Sequence, residues 1–356
     1  MIGTNYEDIL GSTPLLTTEL VSRDNSLTFH KFIGILPNPN QVITEQGSIS
    51  KAFANLKNDP HVWSCVQSRK TGVSALSYEI TNQSTETNIH TFISQIFAEL
   101  DLYNYISNIL EAIFTGFQVL EIIWSENDEG YLIPAEIIAK PLDWFYFDTN
   151  NQLRFRKKGE TAGVLLPENK FLIPRHNPSF ENPYGEALLS KCFWAVTTKN
   201  MGFRFWMNFL EKYGMPLVIG QYTYPPTAEE LQNLSLRLKD LIDSQTIAAP
   251  SDISIDIKDL GASKSVDLYS QLIKMANSEI SKVLLSETLT TEMDSGSYAA
   301  SITHFKVKQE VALSDVKLVE NTLNNLINMI LNVNNLENKI KASSIPRFKL
   351  IKNTIQ

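Results

Sequence analysis

The chain has 356 residues, 43% hydrophobic and 20% charged, which allows two or three domains with a sizeable core and excludes a disordered polymer. A formal charge of −8 and a pI near 5.3 exclude a protein that grips phosphate backbones along a basic face, but not one that lets DNA slide past. No apolar run approaches the roughly 20 residues of a membrane span, and "MIGTNYEDILGS" lacks the basic-then-apolar order of a signal peptide.

Residues 1–58 read as an arm rich in Thr, Ser, Asn and Pro, with one strand-like run, "LTFHKFIGIL". From Asp59, "DPHVWSCVQSRKTGVSAL" carries a helix start, with Asp as N-cap and Pro at the first helical position. A short strand "SYEI" follows, then two amphipathic helices, "NIHTFISQIFAEL" and "YNYISNILEAIFTG". Residues 117–177 change period to short β-branched and aromatic runs split by "ENDEGY", "TNN" and "PEN" turns, the pattern of a small mixed sheet. An α+β domain thus spans 59–182.

Between "NPYG" and "YGMP" lies a proline-free stretch, 185–213, that reads as one rod of about 40 Å at 1.5 Å per residue. Leu188, Leu189, Cys192, Val196, Lys199 and Phe203 mark one stripe, while Trp194, Phe205, Trp206 and Phe209 lie off it, so more than one face must be covered. Residues 217–260 read as a β-α-β insert, with Thr227 capping its helix. A second long helix ends near residue 285. The run "SETLTTEMDSGSYAAS" separates it from a third, 301–332, and "IPRFKLI" closes as a strand.

Catalytic signatures are missing: no G-x-x-x-x-G-K-S/T, no G-x-G-x-x-G, no G-x-S-x-G and no H-E-x-x-H. The five histidines have no Cys, His or Asp at ligand spacing, so no metal is expected. Cys65 and Cys192 are too few for a disulfide framework and read as buried thiols of a protein in a reducing compartment. The acidic pairs Glu229 with Glu230 and Asp240 with Asp243 sit on the insert's helix, where a solvated face is the ordinary account. Residues 286–300 form a polar loop between two long helices, displayed on rigid stalks.

Three blocks resemble the Mu-type phage portal proteins: "DPHVWSCVQSRKTGVSALSYEI", "NPYGEALLSKCFWAVTTKNMGFRFWMNFLEKYGMPLVIGQY", and "LLSETLTTEMDSGSYAASITHFKVKQEVALSDVKLVENTLNNLI" with its mid-point Asp315. The resemblance covers roughly residues 55–335. It implies an α+β portal fold: a wing domain over 59–182, stem helices over 183–216 and 261–285, a clip over 217–260 and a tunnel loop over 286–300. The long helix over 301–332 follows, and 333–356 is a reduced crown or a wing strand. It implies no catalytic residues and no cofactor, but a structural ring, a homododecamer, at one capsid vertex of a virion, assembled in the host cytoplasm. Its partners would be the terminase large subunit, the major capsid protein, a head–tail adaptor, and double-stranded DNA passing without sequence specificity, with no membrane involved. Stem packing would fall to Trp194, Phe203, Trp206 and Phe209. The DNA-facing tunnel loop would present Thr288, Thr290, Thr291, Asp294, Ser295, Gly296 and Ser297, and the docking rim of the clip Glu229, Glu230, Lys239, Asp240 and Asp243. A metal-dependent nucleic-acid enzyme using Glu292, Asp294 and His304 is the alternative from another class. The same fold in a defective prophage or gene-transfer particle is a third reading.

Overall fold

A computed structural model describes residues 38–40, 42–43, 47–81, 87–157, 163–213, 217–244, 253–258, 262–288, 298–336 and 345–351. The chain divides into two compact units, one of residues 1–191 with 297–356 and one of residues 192–296. The strand expected over 27–36 lies outside the described residues.

The larger unit begins with α1 (Ile49–Lys57) and α2 (Pro60–Ser74). Asp59 starts α2 as the sequence predicts, its carboxylate accepting from His61 and Val62 N–H at 2.9 and 3.1 Å. The start of α1 is finished from elsewhere. Ser48 caps it, and Asp143, 94 residues downstream of Ile49, accepts from Ile49 N–H at 2.6 Å and from Ser50 N–H at 3.2 Å. Partial burial pushes the Asp143 carboxyl up, but these hydrogen bonds outweigh it and hold the carboxyl below its usual range.

Strand β1 (Ser77–Thr81) leads to α3 (Thr87–Glu99) and α4 (Leu102–Thr115). The apolar face of α4, with Ile106, Ile109, Leu110, Ile113 and Phe114, is fully buried. The sheet region forms two three-stranded sheets whose pairings are all antiparallel rather than mixed. One has the order β3 (Leu132–Lys140), β2 (Val119–Glu126), β7 (Phe171–Leu172); the other has β4 (Phe145–Phe147), β5 (Leu153–Phe155), β6 (Val164–Leu165). Short turns explain the direction: "NDEG" closes β2 onto β3, a connection too short for a parallel crossover.

After a four-residue helix, α5 (Leu188–Lys191), the larger unit resumes with α9 (Tyr298–Val333) and β10 (Arg347–Ile351). At 36 residues, α9 is about 54 Å long. It buries Val319, Leu323, Leu326, Ile327 and Ile330. Strand β10 pairs antiparallel with β1, Ser77 opposite Ile351. Side chains of α9 satisfy the other edge of β10: Asn324 Oδ1 accepts from Phe348 N–H at 3.0 Å, and Glu320 Oε1 from Leu350 N–H at 2.9 Å.

The smaller unit contains α6 (Phe193–Tyr213), β8 (Leu217–Tyr222), α7 (Ala228–Ser244), β9 (Ile253–Lys258) and α8 (Ala262–Leu285). Strands β8 and β9 are antiparallel neighbours with α7 against β8. Gly220 in β8 makes that approach possible, because a Cβ there would meet Leu238 at 3.0 Å and Leu234 at 3.1 Å. The rod expected over 185–213 is instead interrupted at Cys192, leaving α6 with 21 residues and about 32 Å.

Candidate functional site

Helix α6 carries the informative surface. At about 100° per residue, Trp194, Met201 and Phe205 fall close to one line, and Phe203, Met207 and Leu210 close to another about 180° away. All six are exposed, between 38% and 72%. One of the two intervening faces packs on α8: a Cβ on Gly202 would meet Leu272 Cδ2 at 2.8 Å, and the Phe209 and Tyr269 rings lie 6.0 Å apart. Trp206 is half-buried between these contacts and stacks on Phe203 at 6.3 Å. The remaining face carries exposed Asn200, Arg204 and Glu211. So one helix has a covered face, a polar face opposite it, and an apolar exposed flank on each side.

Helix α8 continues the pattern. Ala276, Ile280 and Leu284 are buried, while Leu268 and Met275, seven residues apart on one line, are exposed. Exposed large apolar groups ranged this way mark surfaces meant to be covered. Of the expected packing residues, Phe209 and Trp206 are engaged inside the unit, and Trp194 and Phe203 point outward. Sequence reasoning did not single out Met201, Met207, Leu268 or Met275; the available signal was helical spacing from another large apolar group, seven residues for Trp194–Met201 and Leu268–Met275 and four for Phe203–Met207.

Of the loop residues, Thr288 is half-buried just after α8, which is followed by Ser286 in a left-handed conformation (φ 59°). Thr290, Thr291, Glu292, Asp294, Ser295, Gly296 and Ser297 lie outside the described residues, as does the side chain of His304. Among the described residues no cluster of three or more His, Cys, Asp or Glu is placed to hold a metal ion, and no helix is long and apolar enough to cross a membrane.

At the rim of the insert, Glu229 is exposed on the first turn of α7. Glu230 is engaged in the helix cap: its carboxylate accepts from Thr227 N–H at 2.7 Å and Tyr224 O–H at 3.0 Å, while Thr227 Oγ1 accepts from Glu230 N–H at 3.3 Å. The Thr227 backbone and hydroxyl bonds hold the Glu230 carboxyl below its usual range. Lys239, Asp240 and Asp243 stand on the last turns of α7, where the backbone alone is described.

Two sets of contacts anchor the sequence blocks within the larger unit. Arg69 of α2 makes a bidentate bridge to Asp315 at the mid-point of α9, Nε to Oδ2 at 2.7 Å and Nη2 to Oδ1 at 2.9 Å, with both side chains nearly buried. The Pro-Tyr-Gly turn is locked into the same unit. Gly116 (φ 92°) and Gly185 (φ 75°) face each other so closely that a Cβ on Gly116 would sit 2.7 Å from Tyr184 O, and one on Gly185 2.5 Å from His176 O. The Tyr184 hydroxyl oxygen accepts from Phe147 N–H at 3.1 Å. Neither partner of these contacts is visible in a linear reading.

Comparison with known proteins places the chain. The family model described as the portal protein of Mu bacteriophage matches residues 50–354. The portal protein of Escherichia phage Mu is 24% identical over 346 residues, and the Mu-like prophage FluMu protein gp29 of Haemophilus influenzae is 24% identical over 305. These alignments cover 89% and 82% of this chain but 66% and 58% of those proteins, so the chain spans about two thirds or less of their length. Chains in the neck of an empty gene transfer agent particle computed with C6 symmetry (TM-score 0.60) and of a native one computed with C12 symmetry (TM-score 0.59) share the fold. Each is 11% identical and is matched over 90% of this chain and 86% of its own. With the family model spanning most of its residues, this chain belongs to the Mu bacteriophage portal protein family.

Proposed function

We propose that this chain is a structural portal subunit: copies pack side by side into a ring at one capsid vertex, forming the channel through which double-stranded DNA is packaged and leaves. The observation that carries this is the pair of apolar flanks on α6, about 180° apart and both exposed. A helix buried by its own unit on one face and apolar on two opposite sides suits a subunit with a neighbour on each side. Such head-to-tail contacts close into a ring. The polar face with Asn200, Arg204 and Glu211 then turns to water, in the channel or outside it.

In this reading α6 and α8 are the stem, and residues 217–260 the clip that docks the terminase large subunit during packaging and a head–tail adaptor later. The larger unit is the wing that meets the major capsid protein. Residues 286–300 supply weak, hydroxyl-rich contacts to passing DNA. The net charge of −8 per subunit, multiplied around a ring, disfavours tight phosphate binding and so favours sliding. The C12 symmetry applied to a neighbour of the same fold supports about a dozen subunits.

Mass in solution and averaged particle images test the ring. Phe205→Asp should block one flank and Met207→Asp the other, so that each variant alone is monomeric and their mixture stops at the heterodimer joined by the two intact flanks. Rings from either variant, or a wild-type chain that stays a 40.2 kDa monomer at high concentration, would refute the proposal.

A further inference from the structure

The larger unit has an apolar groove of about 310 Å³ where its two three-stranded sheets meet. Its wall is aromatic: Trp144 lies edge-on to Phe155 at 6.5 Å, Phe145 is 5.8 Å from Phe155, and Phe171 is edge-on to Phe145 at 6.4 Å. Trp144 is 49% exposed, so this wall opens to solvent. Rings at such spacings accept a further ring edge-on or offset. The volume is at the small end of binding pockets, a size for one or two side chains. The charged lining residues are Glu121, Lys140 and Lys157. Glu121 is already shared by Lys140 at 2.9 Å and Lys170 at 3.9 Å, and Lys157 is exposed, so positive charge is in excess among the lining residues. The occupant that fits is an aromatic side chain with a carboxylate beside it.

We propose that this occupant is the Phe180–Glu181 turn of a neighbouring copy. Phe180 is 47% exposed, and Glu181 beside it is exposed as well. The turn is closed on itself: Ser179 N–H donates to Asn182 O at 3.1 Å, Asn182 N–H to Ser179 Oγ at 3.0 Å, and the Asn182 side-chain amide to Gly185 O at 2.8 Å. An anchor held this way loses little freedom on binding. A subunit's own turn stands away from its own groove. From Phe171, which lines the groove, the chain runs along β2 with Leu172 opposite Leu120 and Arg175 bridged to Phe117, and His176 N–H reaches Gly116 O. At about 3.3 Å per residue, that path carries the start of the turn about 17 Å from Phe171. Two different patches set apart on one unit make a head-to-tail contact, the kind that closes into a ring. The inference rests on the ring reading above and adds a contact in the larger unit to it. One aromatic anchor buries far less than the roughly 1,200 Å² of a stable interface, so it sets the register of neighbours joined through α6 and does not hold a ring alone.

The test treats rings of the full chain with a carbodiimide, which joins a carboxylate to an amine in direct contact. The products are separated by size under denaturing conditions, and peptides joining Glu181 to Lys157 or Lys140 are quantified by mass spectrometry. These peptides are expected in species of two or more copies and not in the 40.2 kDa single chain. They should fall at least tenfold in Phe180→Ala and in Leu165→Asp, which alters a groove residue, and persist in Phe180→Tyr. Both positions are exposed, so the thermal melt of the subunit should be unchanged. Glu181 joined to either lysine within the 40.2 kDa chain would overturn the assignment in favour of the subunit's own turn. Rings that yield no such peptide, or a yield indifferent to Phe180→Ala, would overturn the contact and leave the ring standing. A wild-type chain that forms no ring would remove the ring reading itself, and this contact with it.

Discussion

Asp315→Ala is the sharpest perturbation of the larger unit. The carboxylate is 3% exposed and accepts both bonds of Arg69, whose side chain is 10% exposed. Removing it leaves a guanidinium with little access to water and two N–H groups without their acceptor. Breaking a buried pair from one side costs about 3–5 kcal/mol, because the remaining charge keeps its desolvation penalty. For a unit of this size each kcal/mol lowers the melting temperature by about 2–4 °C, so a fall on the order of 10 °C follows. Removing both charges is a different matter: Arg69→Met with Asp315→Leu leaves neither member of the pair buried without the other and should recover most of the loss. Thermal and urea unfolding followed by circular dichroism, at one protein concentration, read all three variants. A loss below about 1 kcal/mol for Asp315→Ala, the level of an exposed pair, would refute the reasoning. So would a double variant no better than the single one.

Three further outcomes are expected. Gly185→Ala places a Cβ 2.5 Å from His176 O at a left-handed residue, a backbone penalty of about 1–2 kcal/mol before the clash, whereas Gly72→Ala in α2, with nothing within 4 Å, should stabilise by about 0.5–1 kcal/mol; equal melts would contradict this. Burial pushes the Glu111 carboxyl up, but Lys57 and Lys70, each at 2.5 Å, outweigh it and hold it below its usual value. Its stabilisation is therefore present above the unfolded value of about 4.3 and lost as pH falls through the lower folded value. Urea midpoints should drop below about pH 5, less steeply in Glu111→Gln, and parallel profiles would sink the assignment. Deleting residues 290–297 should leave rings intact by electron microscopy but impair DNA packaging or retention; normally filled heads would remove that loop from the channel.

What the sequence made legible was local. Asp59-Pro60 and Thr227 start helices where capping chemistry says they should, and the turn-rich middle folds as the short strands expected, though antiparallel throughout rather than mixed. The interruption at Cys192 was not legible. The stretch has no proline, and its apolar period runs straight through, so propensity alone predicts one rod; Leu189 and Cys192 are both fully buried, and tertiary packing decides the break. Pairing of β1 with β10 joins residues about 270 apart, and the Asp143 cap on α1 spans more than 90. A periodicity search reads neighbours, not contacts of that range.

The same limit explains why the roles of two residues were not legible. The resemblance marks Asp315 only as a mid-point acid and the helix pattern simply ends at Gly116, and neither reading shows why those residues stand there. Their cause is a partner elsewhere in the chain: Arg69 for the first, the backbone at Tyr184 and Gly185 for the second. The exposed flanks of α6 behave differently. Trp194 and Phe205 stood off the main stripe in the sequence, and within the subunit they remain uncovered. A helix that buries its apolar surface only within its own fold needs one stripe. In the proposed ring, the two further stripes about 180° apart are what the copy on each side would cover.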